Sequence, residues 1–363
     1  MLVKLNVANG AVGIYRAKTK RTKPLRPLTQ IWYGNARGAV LLAPLAWLYG
    51  AATNVRRRSY DLGLLRQLEV GCPVIVVGNL VVGGTGKTPL VAWFARQLQM
   101  RGYKVGILSR GYGGRTREPR LVEANDSWRE VGDEPLLLAQ RTGCMTVVGA
   151  DRVAAGRLLV AHGVNVIVSD DGLQHLRLAR HFRIVVVDGA RRFGNGRLLP
   201  AGPLREPMRG LLLADAVVVN GAEPSEWLTG TCLQSGAAIL QMQLVPGTVQ
   251  ALTGTQCRSL ESFSGLAVHA VAGIGNPGRF FGELRSFGLE VIEHAFADHH
   301  PLVASDLDFG DDLPVLMTEK DAVKCRGFSD ARLWYVPVTA HLDAMQSDEL
   351  LLRVTRRLQA YRG

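Results

Sequence analysis

The chain has 363 residues, enough for two ordinary domains with proper cores, and its net charge of +12 with a pI near 9.8 favours an acidic partner: nucleic acid, anionic lipid or a phosphorylated substrate. Cys72, Cys144, Cys232, Cys257 and Cys325 are scattered singly, which argues against a zinc site or a disulfide framework and for a reducing cytosol. Hydrophobic residues make up 47% and the mean hydropathy is +0.09, yet no apolar run reaches the roughly 20 residues of a membrane-spanning helix.

Residues 1–30 carry Lys18, Lys20, Arg21, Lys23 and Arg26 and read as a basic extension, without the compact apolar core and cleavage site of a targeting signal. Residues 31–60 have a different texture. The apolar run Ala39–Tyr49 is short and interrupted by Pro44; Trp32, Tyr33, Trp47 and Tyr49 are interfacial residue types, and Arg56-Arg57-Arg58 closes the segment. This pattern predicts a helix lying in a membrane interface, with its cations on anionic headgroups.

Pro73–Val77 is a short β-branched run that reads as a buried parallel strand. Val81-Val82-Gly83-Gly84-Thr85-Gly86-Lys87-Thr88 follows, and a helix begins near Pro89, with Leu90, Phe94 and Leu98 on one face. Strand, Gly-rich loop, Lys-Thr and helix is the architecture of a phosphate-binding loop. Glycines let backbone N–H groups turn toward phosphate oxygens, Lys87 reaches the β- and γ-phosphates, and Thr88 ligates Mg²⁺. Val81 stands where the usual pattern has its first glycine.

Lys104–Leu108 is a second strand, running into the cationic loop Ser109–Arg115, and Asp133 precedes a helix at an N-cap-like position. Met145–Val148 is a third strand, followed by a helix over residues 151–162 with Val153, Arg157 and Val160 as its stripe. Val164–Ser169 is a fourth, and it delivers Asp170-Asp171 at its C-terminal tip. Carboxylates there suit a Mg²⁺ beside the phosphate loop, the Walker-B arrangement. His175, five residues on, reads equally as catalytic or packed. Another strand runs from Phe182 toward Asp188, and the Gly-, Pro- and Arg-rich segment 191–209 reads as a lid or binding loop before the strand Ala216–Val219.

Leu240, Met242 and Leu244 alternate with Gln241 and Gln243, an amphipathic strand broken by Pro246-Gly247. A second α/β pattern starts at Val268. Its Gly273-Ile274-Gly275 has half of a dinucleotide fingerprint but lacks the final glycine. Asp298-His299-His300 invites a metal reading, although adjacent side chains point different ways. Leu333–Val338 reads as an edge strand because of Pro337, and a basic amphipathic helix over residues 348–361 follows. The expected organisation is a basic extension (1–30), an interfacial helix (31–60), a kinase core (61–245) and a C-terminal α/β domain (246–363).

The ordered set of motifs resembles the tetraacyldisaccharide 4′-kinase (lipid A 4′-kinase) family from about Trp32 onward. It comprises Val77–Leu80 leading into Gly83–Pro89, Ser109–Gly113, Val131–Pro135, Asp170–His175, Leu204–Pro207, Asp298-His299 and Thr318–Asp321. The resemblance implies a P-loop NTPase-like core with a mostly parallel sheet, a smaller C-terminal α/β domain and an N-terminal membrane-associated helix. It further implies ATP- and Mg²⁺-dependent phosphorylation of the 4′-hydroxyl of a tetraacylated glucosamine disaccharide 1-phosphate, at the cytoplasmic face of the bacterial inner membrane. No nucleic acid or protein partner is implied. By that resemblance Val81 to Thr88 hold the nucleotide with Lys87 in a catalytic role, Glu206 lies near its base, and Thr88, Asp170 and Asp171 serve the metal. Asp133 becomes the base for the sugar hydroxyl and His299 its orienting partner. A membrane-surface regulatory ATPase of the partition or metallochaperone type is the alternative; its signature Lys is replaced here by Val82. A nucleic-acid-binding ATPase draws on the pI alone.

Overall fold

The computed structural model describes residues 7–8, 11–12, 27–34, 37–223 and 226–362. Most of the basic extension therefore lies outside the described residues. Two-residue strands β1 (Val7–Ala8) and β2 (Ala11–Val12) pair with each other, and helices α1 (Pro27–Tyr33), α2 (Arg37–Leu41) and α3 (Ala43–Asp61) follow.

The first large sheet has nine strands. Those in the chain up to residue 246 are β3 (Val74–Gly78), β4 (Val105–Ser109), β5 (Arg120–Leu121), β6 (Met145–Val148), β7 (Val166–Asp170), β8 (Phe182–Asp188), β9 (Ala216–Asn220) and β10 (Ala238–Pro246). Their helices are α4 (Lys87–Met100), α5 (Trp128–Val131), α6 (Asp133–Thr142), α7 (Arg152–Ala161) and α8 (Glu226–Ser235). The strand order is β17-β10-β9-β8-β3-β7-β4-β6-β5, parallel throughout except at its two edges. Strands buried on both faces need apolar runs rather than alternation, and β3, β4, β7 and β9 are buried at every position. Leu90, Phe94 and Leu98 of α4 pack on one face. On the other, Val153 and Leu159 of α7 lie with Leu211 and Leu228. Arg157 is exposed, so the buried face of α7 is Arg152, Val153, Ala155, Gly156 and Leu159, not the expected stripe.

The second sheet has six strands in the order β12-β11-β16-β15-β13-β14: β11 (Val249–Ala251), β12 (Cys257–Arg258), β13 (Ala267–Ala272), β14 (Glu290–Ala295), β15 (Val315–Thr318) and β16 (Leu333–Val336). Helix α9 (Pro277–Ser286) lays Phe280, Phe281 and Leu284 against it, and the short α10 (Glu319–Ala322) leaves the tip of β15.

Two expectations are corrected here. Leu333–Val338 is not one edge strand: β16 is interior to the second sheet, and Pro337 is the crossing point to β17 (Val338–Leu342), which pairs antiparallel with β10. Pro337 thus breaks the run where the chain changes sheets. The segment 246–363 is consequently not one domain. After β17, helix α11 (Ala344–Arg362) buries Leu350, Leu351, Val354 and Leu358 in the core of the first sheet.

Helices α1–α3 are fastened to segment 191–209. Trp32 Nε1 donates to Pro200 O at 2.9 Å, Asn195 Nδ2 to Ile31 O at 3.3 Å, and Tyr49 Oη to Arg205 O at 2.9 Å. That segment is therefore packed between the N-terminal helices and the phosphate loop. Val40, Leu41, Leu45, Trp47 and Leu48 remain exposed, Leu41 to 84% and Trp47 to 80%. Among the described residues, no helix is long and apolar enough to cross a membrane.

Candidate active site

β3 is central in its sheet, and the phosphate loop leaves its C-terminal end, where α/β sheets form their binding crevices. Gly86, at φ 91°, makes the turn into α4, a conformation that favours glycine. The loop's carbonyl side is tied outward. Asn79 Nδ2 donates to Gly83 O at 3.3 Å and Thr85 Oγ1 at 3.2 Å, and Asn220 Nδ2 donates to Thr85 O at 2.9 Å. Among the described residues, no N–H group from Gly83 to Thr88 donates within the chain, so the loop offers unpartnered donors at a helix N-terminus to phosphate oxygens, Gly84 N being the one against which Gly275 packs. Val82 differs: its N–H is engaged by Pro203 O at 2.9 Å. Val81 is buried and its backbone bridges to Leu204, so the loop is paired with segment 191–209 at the position where other such loops have glycine.

β7 pairs with β3, setting Asp170 opposite Val77. Lys87 Nζ lies 3.7 Å from Asp171 Oδ1, and Arg205 Nη1 donates to both Asp171 oxygens at 2.9 and 2.7 Å. Burial works to raise the Asp171 pKa, but Lys87 and Arg205 hold it well below the usual carboxylate range. Asp170 goes the other way: burial, then the Glu134 carboxylate, pushes it up. Its Oδ1 is buried with no partner, an acceptor that a cation would satisfy. Arg152, only 2% exposed, donates from Nη2 to Asp170 O at 3.2 Å, while its Nε and Nη1 have no partner. In the sequence Arg205 stands out only as part of the Leu204–Pro207 motif, without a role, and Arg152 is not singled out; an Arg one residue after the N-cap Asp151 gives no sign of being buried. Glu206 Oε2 meets Arg57 of α3 at 3.2 Å.

Asp133 is the first residue of α6, whose N-cap is Gly132 at φ 93° rather than Asp133 itself. His299, at φ 60°, comes from the segment after β14. Its Nδ1 lies 3.0 Å from both Asp133 oxygens, and its ring sits 4.7 Å from that of Tyr112. Burial favours a neutral Asp133, but Lys320, the hydrogen bond from His299 and Lys324 outweigh it and keep the carboxyl ionised. His300 turns away to Asp306 at 3.1 Å, so the two histidines serve different partners.

The second sheet also touches the phosphate loop. A β-carbon on Gly275 would collide with Gly84 N, and one on Gly273 would meet Asp321 Oδ1 at 2.8 Å. Gly275 is therefore a close-approach position between the two sheets, and Gly273 is one within the second. Arg191 staples the contact, donating to Gly275 O at 2.8 Å and Gly84 O at 2.7 Å, and Arg279 of α9 donates to Asn220 Oδ1 at 2.8 Å. Beside the acidic strand tip is a basic cavity of about 350 Å³, lined by Arg56, Tyr60, Arg152, His175 and Arg177 among others. Burial, then Arg152, Arg110 and Arg56, lowers the His175 pKa to about 4, so its imidazole is neutral.

One side of this site is built to hold a triphosphate, and the other ends in a carboxylate–imidazole pair able to take a proton. That defines a nucleotide-dependent phosphotransferase of the P-loop class. Comparison with known proteins narrows the class: the family model described as tetraacyldisaccharide-1-P 4′-kinase matches residues 38–356, and the chain belongs to that family. It is 51% identical over 318 residues to the tetraacyldisaccharide 4′-kinase of Alkalilimnicola ehrlichii, covering 87% of this chain and 92% of that protein. With the Methylobacillus flagellatus protein of the same name it shares 46% over 337 residues, covering 92% and 97%. Among solved structures, LpxK from Aquifex aeolicus in complex with ATP superposes with a TM-score of 0.72 at 31% identity, covering 88% of this chain and 99% of that one.

Proposed function

We propose that the protein transfers the γ-phosphoryl group of ATP to the 4′-hydroxyl of a tetraacylated glucosamine disaccharide 1-phosphate, giving the bis-phosphorylated lipid A precursor. The observation that carries this reading is the Asp133–His299 pair at 3.0 Å, contributed by different sheets that meet at the phosphate loop, in a chain of the 4′-kinase family. Phosphoryl transfer asks a protein for positioning, charge neutralisation and one acceptor for the hydroxyl proton. The unpartnered N–H groups of Gly83, Gly84, Thr85, Gly86, Lys87 and Thr88 orient the phosphates, and the Lys87 ammonium balances charge on the transferred group. Glu206 is assigned to the base side of the nucleotide. Thr88, Asp170 and Asp171 would hold Mg²⁺, which supplies charge neutralisation when bound; the partnerless Asp170 oxygen fits that role. Asp133 accepts the hydroxyl proton, and His299 keeps its carboxylate aimed and shares the proton.

The membrane part of the reading rests on the exposed Leu41, Leu45, Trp47 and Leu48 and on the cations that follow them. The acyl chains of the acceptor stay in the cytoplasmic leaflet of the inner membrane while its sugar enters the site. The test is transfer of labelled γ-phosphate to a tetraacyl disaccharide 1-phosphate in mixed micelles, with a 4′-phosphorylated product expected. ATP hydrolysis that ignores the acceptor would sink the kinase reading.

A further inference from the structure

We infer that Lys320 is a positioning residue for the Asp133–His299 pair: its ammonium latches the two sheets together around the pair and fixes which nitrogen of His299 carries the proton. The inference rests on the reading of that pair as the group that activates the hydroxyl.

Lys320 Nζ reaches three groups at once: Glu134 Oε1 at 2.9 Å, Asp298 Oδ1 at 3.1 Å and His299 Nε2 at 3.4 Å. Glu134 follows Asp133 in the chain, and Asp298 precedes His299. One cation therefore grips the immediate neighbour of each member of the pair as well as the imidazole. An ammonium has donors and no acceptor, so His299 Nε2 must present its lone pair. The ring proton then resides on Nδ1, where it points at the Asp133 carboxylate. In this tautomer the imidazole is neutral and Asp133 stays ionised, the arrangement a proton acceptor requires.

The residues around Lys320 hold it in place. Thr318 Oγ1 donates to Asp321 Oδ2 at 2.6 Å, and the same oxygen accepts from Gly273 N at 2.8 Å, which fixes the start of α10 to the second sheet. Glu319 Oε2 accepts from Arg141 Nη1 of α6 at 2.8 Å. Glu134 and Arg141 lie two turns apart on α6, so neighbouring residues Glu319 and Lys320 dock its two ends. His299 has a left-handed backbone that a non-glycine residue adopts only when held. Its N–H donates to Gly273 O at 3.3 Å, and the Lys320–Asp298 ion pair secures the preceding residue.

The groups facing His299 are Asp133 and Glu134 from α6, Tyr112 from the loop after β4, Asp298 beside it, and Lys320, with Lys324 behind Asp133 at 3.7 Å. Lys320 opposes protonation of the imidazole, whereas Asp133 and Asp298 favour it. Replacing Lys320 by a neutral residue should therefore raise the pH at which His299 gains its second proton.

The experiment compares the full-length protein with Lys320→Met and Lys320→Arg, and with Lys320→Gln as a polar variant should the methionine form not fold. Lys320→Met is expected to lower kcat about 100-fold, with the KM for ATP changed less than about twofold. The acid limb of its pH–rate profile should move to higher pH, and ¹⁵N spectra of histidine-labelled protein should show His299 losing its pure Nδ1–H tautomer. Lys320→Arg should recover part of kcat. Wild-type turnover in the neutral variants overturns the inference. So does a fall in kcat with the pH profile and His299 nitrogen shifts unchanged, because that marks a packing role alone. Asp133→Asn and His299→Gln run alongside: normal turnover in both removes the underlying pair, whereas impairment in both with normal Lys320→Met removes only the latch.

Discussion

His299 Nδ1 lies 3.0 Å from each carboxylate oxygen of Asp133, although 166 positions separate them and they belong to different sheets. The pair therefore exists only where the two sheets meet. Asp133→Asn keeps the shape of the side chain and removes the proton acceptor. Steady-state kinetics should show kcat lower by about 10²–10⁴-fold, while calorimetry finds ATP binding intact. Near-normal turnover would take Asp133 out of this role.

The same pair makes activity and stability respond to pH in opposite directions. Burial pulls the His299 pKa down, but the hydrogen bond to Asp133 and the charges of Asp133 and Asp298 raise it above the ordinary 6.5. A raised histidine pKa contributes stability fully present below 6.5 and lost as pH climbs through the folded-state value. The depressed Asp133 pKa contributes stability present above 3.8 and lost as pH falls through its own folded value. The pair therefore stabilises most between about pH 4 and pH 6.5. Turnover needs the neutral imidazole, so kcat should rise with pH along a limb centred above 6.5. In His299→Gln that limb should vanish together with the extra thermal stability near pH 5–6; a limb that survives unchanged belongs to another group.

Gly275 offers a test of the sheet contact away from the chemistry. Its Cα side abuts the Gly84 backbone, and neither neighbour can retreat as a flexible side chain would. Gly275→Ala should hold the second sheet off the phosphate loop and cost about 100-fold in kcat, since displacements near 1 Å at a reacting centre have effects of that size. Unfolding temperature should change little, because no core side chain is altered. Wild-type kinetics would mean that the contact is incidental to turnover.

The phosphate loop, the acidic tip of β7 and the strand–helix alternation were legible because each depends on short-range pattern: β-branched runs, glycine spacing and helical periodicity. Asp133 and His299 carry no local signal that they meet, and only the family resemblance paired them. The roles of Arg152 and Arg205 were missed for a related reason. Whether buried like Arg152 or half-buried like Arg205, an arginine looks like a surface one until the carboxylates around it are placed in space. Pro337 has the local look of an edge-strand residue, but it separates two strands of different sheets, a distinction that depends on where residues 338–362 return. The glycines at 273 and 275 carried a spacing seen in nucleotide sites, whereas their role is close approach of backbone to backbone and to Asp321.

Lys324 is a buried cation shared between Asp321 and, at 3.7 Å, Asp133. Its side chain is fully buried, with Nζ 2.7 Å from Asp321 Oδ1. Lys324→Met would leave the buried Asp321 without its ion-pair partner, at a cost of about 3–5 kcal/mol to folding. Denaturant titration should register that loss; a loss below about 1 kcal/mol would place the pair in the class of weak, solvent-screened bridges.

The exposed face of α2 and α3 predicts how the protein sits on lipid. Leu41, Trp47 and Leu48 are 84%, 80% and 69% exposed, so replacing them with serine removes little packing from the folded chain. Burying a large apolar side chain in the interface contributes roughly 1.5–3 kcal/mol, and each substitution should therefore weaken vesicle binding about 10-fold or more. Arg56 and Arg58 add an attraction that depends on anionic lipid and falls with salt. The triple variant should remain in the supernatant when sedimented with phosphatidylglycerol vesicles, keep its melting temperature, and still bind ATP. Phosphorylation of the micellar acceptor should fall through a higher acceptor KM. Unchanged sedimentation would refute this face as the membrane contact and leave the apolar exposure of α2 and α3 to another partner.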